Sequence, residues 1–197
     1  MLIEDGTGSG RTAAVNINNK LEVVAITAST EHDTNHKDGL AFNILLEQTP
    51  TGADPSAGDF DEETCIFYMK NTSEIDITME GMTHRLAGTG FSDAIEIRGG
   101  DIGDPVGGTA VTPANLNLGS GNSAVGTFLA GDSITGLSGG VILQRIYIES
   151  GKSNYHNFDQ DILIPKNRII TIYSITPTSQ EVSLTFGINY HPAISER

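Results

Sequence analysis

Several groups of residues have types and spacings that could do chemistry. His32 and His36, with Glu31 and Asp33 beside them, have the i, i+4 spacing that puts two imidazoles on one helix face around a zinc ion. The surrounding TEHDTNHKDG is too polar and too near its glycine to hold that helix, so a solvated linker is expected. Ser138 lies in GLSGG, a match to the G-x-S-x-G nucleophile elbow. An elbow joins a strand to a helix, whereas Ser138 precedes the strand-like run GVILQRIYIE. Gly6, Gly8 and Gly10 have the density of a phosphate-cradling turn but lack the strand before it and the helix after it.

Asp59, Asp61, Glu62 and Glu63 offer oxygen ligands to a hard cation such as calcium. They lack the spaced D-x-D-x-D-G order of an EF-hand loop, and a solvated acidic loop is the expectation. Cys65 is the single cysteine, which excludes an intrachain disulfide. Its apolar run CIFYM predicts a buried, unreactive thiol. His84, His156 and His191 stand alone. The expectation is therefore no catalytic residue, no cofactor and no metal.

The elements that would position these groups are strands. EVSLTFGINYH places Val182, Leu184, Phe186, Ile188 and Tyr190 on one face and polar residues on the other. IDITMEGMTHRL does the same but changes parity at Gly81. Ile75, Ile77 and Met79 share one face; Met82, His84 and Leu86 continue on the other parity, as across a β-bulge. RIITIYSIT is apolar on both faces and reads as a central or covered strand. ILIPKNR reads as a strand ending in a turn at Pro165 to Asn167. AAVNINNKLEVVAI reads as a hairpin turning at Asn18 and Asn19. With 23 glycines to supply turns, ten to twelve short strands form an all-β, jelly-roll-like antiparallel β-sandwich. Helix is expected only in short pieces around Glu31 to Lys37 and Asp59 to Glu63.

The chain divides into an N-terminal arm and β-hairpin, residues 1–30, and a sandwich domain, residues 31–197. The arm opens on Leu2 and Ile3, followed by the glycine-studded GTGSG and Arg11. Its apolar tip has no local core, so Leu2, Ile3, Gly6, Gly8, Gly10 and Arg11 are the candidate contact residues for a neighbour. Two long loops, TPTGADPSAGDFDEE and GGDIGDPVGGTAVTP, are further natural contact surfaces.

A net charge of −14, from 25 acidic and 11 basic residues, argues against a nucleic-acid partner. No segment approaches the ~20 apolar residues of a membrane span, so no membrane partner is expected. MLIEDGTGSG has neither the basic start nor the apolar stretch of a signal peptide, and synthesis in a cytoplasm is expected. A sugar-binding module would stack rings on aromatics, but the chain has no tryptophan and only 6% aromatic residues.

Four stretches together resemble a family of tailed-bacteriophage virion structural proteins: MLIEDGTGSGRTAAVNINNKLEV, GGTAVTPANLNLGSGN, ILIPKNRIITIYSIT and EVSLTFGINYH. They cover about half the chain, and the acidic-glycine leader with its hairpin is the most distinctive. The resemblance implies a jelly-roll-like subunit, often a homotrimer, that decorates or cements the outside of the capsid and binds the major capsid protein. It also admits a head-fibre or tail-associated adaptor, and a receptor- or glycan-binding module is the alternative of another class. The acidic loop at 48–63 lies outside the resemblance.

Overall fold

Period-two segments become strands because alternate residues can share one dry face. In the computed structural model, residues 2–4, 12–14, 35–50, 63–90, 92–175 and 180–191 are described. They form two units, Met1–Asp33 and Thr34–Arg197.

In the first unit, β1 (Leu2–Glu4) pairs antiparallel with β2 (Thr12–Ala14), Ile3 facing Ala13. Leu2 and Ile3 are thus strand residues, where the sequence suggested a free leader ahead of the hairpin. The expected turn at Asn18 and Asn19 lies outside the described residues, as do Gly6, Gly8, Gly10 and Arg11.

The second unit is a two-sheet antiparallel sandwich. Its strands are β3 (Ala41–Gln48), β4 (Thr64–Asn71), β5 (Asp76–Leu86), β6 (Ser92–Gly99), β7 (Thr109–Ala110), β8 (Ala114–Asn115), β9 (Gly126–Ile134), β10 (Val141–Glu149), β11 (Ser153–Ile164), β12 (Ile169–Ser174) and β13 (Val182–His191). One sheet has the order β11-β5-β13-β3-β8, the other β10-β6-β12-β4-β9-β7. The pairs β3–β13, β4–β12, β5–β11 and β6–β10 are the rungs of one long antiparallel ribbon. Rolling that ribbon adds the pairs β13–β5 and β12–β6 and gives the eight-strand jelly roll. Strands β7, β8 and β9 are an insertion between β6 and β10.

β13 buries the five residues of its apolar parity, as the alternation predicts. The parity change in β5 is a true bulge. Opposite β13, Phe186 faces Met82 and Ile188 faces Met79, so β5 spends one extra residue at Glu80–Gly81. His84 consequently points into the core and is only 4% exposed. The two sheets meet through contacts such as Phe67 against Phe186, edge to face with centroids 5.2 Å apart.

Polar pins close the ends. Fully buried Asn71 donates from Nδ2 to Ile75 O and Ile164 O, both at 2.9 Å, and accepts from Ser73 N. Tyr190 donates its hydroxyl to Val125 O and accepts from Val125 N at 2.7 Å. Burial pushes that phenol up to about 12. Asn167 takes the left-handed turn conformation, φ 64°, just after Pro165.

The short helix expected around Glu31 to Lys37 appears as one turn at 35–37, and the piece expected around Asp59 to Glu63 lies, but for Glu63, outside the described residues. One expectation changes: the loop GGDIGDPVGGTAVTP is not structureless. Ile102 bridges to Ser138, Val106 bridges to Thr135, and β7 pairs with β9.

Candidate functional site

The side chains with the most concentrated chemistry lie on the outer face of the β10-β6-β12-β4 sheet. In β6, Ile95 and Ile97 fill the core, so Ala94, Glu96 and Arg98 take the opposite face. The β12 register sets Thr171 opposite Arg98 and Tyr173 opposite Glu96. From the other side, β10 sets Arg145 opposite Glu96. One carboxylate therefore stands at the centre of a cross-strand cluster.

Glu96 is fully buried, yet it lies on the face away from the core. It accepts from Arg98 Nε at 2.8 Å and from Arg145 Nε at 2.6 Å, and each arginine's terminal nitrogen adds a second contact. Arg98 also pairs with Glu63 through both terminal nitrogens and lies 4.3 Å from the Tyr173 ring centroid. Two carboxylates face two guanidinium groups, so the cluster is neutral. The hydrogen bond from Arg98 lowers the Glu63 pKa, while Glu63 and then Glu96 raise that of Arg98. Glu96 does the same for Arg145.

Beside the cluster an open cavity of about 390 Å³ lies between the sheet and the loop 133–140, lined by Glu63, Asp101, Arg98 and Tyr173 among others. Asp101, 3% exposed, accepts from Gly140 N at 2.9 Å and from the Thr171 hydroxyl. A Cβ on Gly140 would meet the Asp101 carboxylate at 2.5 Å, and one on Gly103, whose φ is +112°, would meet Gly136 O at 2.1 Å. Glycine at both positions lets the loops close onto the sheet.

Of the cavity's charged side chains, Glu63 and Arg98 are committed to each other, and Asp101 to Gly140 N and the Thr171 hydroxyl. Cys65 is a neutral thiol whose pKa burial raises to about 12, and its Sγ donates to Phe67 O at 3.3 Å. Burial also raises the Tyr173 phenol. Ser138 is an exposed bridge residue, and the cavity lining contains no histidine or lysine to activate it. The arrangement latches the 99–108 and 133–140 loops to the sheet.

The sequence-derived candidates scatter. His36 follows Asn35 in the single helical turn, His32 lies outside the described residues, and so do Asp59, Asp61 and Glu62. Glu63, the described member of the acidic group, joins the cluster through Arg98. Among the described residues no group of three metal-ligating side chains converges, and no helix is long and apolar enough to cross a membrane. Sequence reasoning did not single out Glu96, Arg98, Arg145, Asp101 or Thr171. The alternation in SDAIEIRG was the available signal, though it assigns Glu96 to a wet face.

Compared with protein-family models, curated proteins and solved structures, the chain matches none. The fold and the site geometry are the grounds for a functional reading.

Proposed function

We propose that this chain is a bacteriophage virion structural subunit that coats or cements the outer surface of a head. It binds the major capsid protein and assembles with copies of itself, as a trimer by the resemblance noted above. The observation that carries this reading is the jelly roll whose polar cluster fastens its own loops, with a separate N-terminal strand pair attached. A rigid sandwich with long latched loops suits a part that must hold shape on a particle. The acidity suits an outer surface better than a DNA-filled interior.

Purified heads with tails removed provide the test. The protein is expected to remain with the heads at a fixed ratio to the major capsid protein. Heads lacking the native copy are expected to bind added protein saturably. Departure of the protein with the tail fraction would favour the adaptor reading, and absence from both fractions would refute a virion role.

A further inference from the structure

The cavity under the loop 133–140 holds about 390 Å³, inside the ~300–1,000 Å³ range of small-molecule sites. Its walls are fixed before any ligand arrives. Ser138 and Ile102 exchange backbone hydrogen bonds at 3.1 and 2.9 Å, Thr135 and Val106 at 3.0 and 2.9 Å, and Gly140 N is held by Asp101. A preformed site loses little free energy to ordering when it binds.

Three kinds of surface line it. Cys65, Ile134, Leu137 and Tyr173 belong to one small apolar cluster and form the floor. Ser133, Thr135 and Ser138 form a rim; all three are exposed, and their hydroxyls have no hydrogen-bond partner among the described residues. The charged groups are Glu63, Asp101 and Arg98.

Those charged groups select the ligand by what they refuse. Arg98 already spends Nε and both terminal nitrogens on Glu96 and Glu63, so an anion would meet two carboxylates and a committed guanidinium. A cation would have to break the Glu63–Arg98 pair, because Asp101 is 3% exposed behind Gly140 N and the Thr171 hydroxyl. A neutral ligand rich in hydroxyls breaks nothing. The rim hydroxyls both donate and accept, and Glu63, its side chain 44% exposed, keeps lone pairs for neighbouring hydroxyls. We infer that this cavity binds a neutral polyhydroxylated ligand the size of one sugar ring, its hydroxyls on the rim and Glu63 and its C–H face on the floor. Tyr173 is only 7% exposed, so no ring stacks there, and affinity in the millimolar range follows from hydroxyl contacts alone.

The test is a proton–nitrogen NMR titration of the full chain with glucose, galactose, mannose and N-acetylglucosamine, each to about 100 mM. At least one sugar is expected to shift the amides of residues 133–140 and the Arg98 Nε–H saturably, with half-saturation on the order of 1–10 mM. Ser133→Ala, Thr135→Val and Ser138→Ala together are expected to weaken that binding about tenfold or more, in a protein whose spectrum shows it folded. Thr83→Val, which removes an exposed hydroxyl on the other sheet, is expected to leave binding unchanged. Methylammonium and inorganic phosphate, the cationic and anionic probes, are expected to give no saturable shift at these amides. No saturable shift with any of the four sugars, equal binding by the triple variant, or a preference for methylammonium or phosphate overturns the inference. The titration needs no particle, so its failure leaves the virion reading standing, and loss of head binding leaves the sugar site standing.

Discussion

Replacing Glu96 by alanine tests whether the outer-face cluster is a buried ion network or a surface decoration. The substitution removes the shared acceptor of Arg98 and Arg145. Arg145, with its side chain 45% exposed, can turn to water. Arg98 cannot: its side chain is 13% exposed, and it keeps only Glu63, itself 44% exposed. Breaking a buried pair from one side costs about 3–5 kcal/mol, and the surviving Glu63 contact favours the low end, ~3 kcal/mol. For a domain of this size each kcal/mol moves the midpoint by roughly 2–4 °C, so Tm should fall by ~6–12 °C. Urea unfolding with an unchanged slope would assign that loss to the folded state's stability. Glu96→Gln should fall between wild type and alanine, and Arg145→Ala should cost less than Glu96→Ala. A loss under ~1 kcal/mol, the worth of an exposed ion pair, would refute the argument.

Burial lowers the pKa of His84, with His156 adding to the effect. The unfolded chain therefore takes up the proton first as pH falls below 6.5, and stability is lost from there down to the folded value. Urea midpoints between pH 7.5 and 5 should show this limb, and His84→Leu should flatten it; equal slopes would contradict the assignment. Gly103→Ala should cost on the order of 1–3 kcal/mol, since the new Cβ meets Gly136 O in a backbone region that strains other residues. Its signature is faster hydrogen exchange in residues 99–108, and unchanged exchange there would count against the close approach. Deleting residues 1–11 should leave the melting of the sandwich nearly unchanged but lower occupancy on heads. Full occupancy would remove the arm from attachment, and loss of folding would place it in the core.

The sandwich was legible where one face is dry and the other wet, since alternation is then a direct record of burial. β13 shows this, as does the parity change at Gly81, which marks the β5 bulge. The edge and central positions were harder to read. β10 and β12 are similarly rich in Ile and Tyr, but only β12 lies between two partners. Sheet order depends on pairings between distant residues, which local pattern does not encode. The cluster was hidden for a different reason. Glu96 occupies an outward parity, and its burial is produced by arginines from its own strand and from β10, 49 positions away. Asp101 likewise becomes a latch only when β12 brings Thr171 to it, 70 positions on.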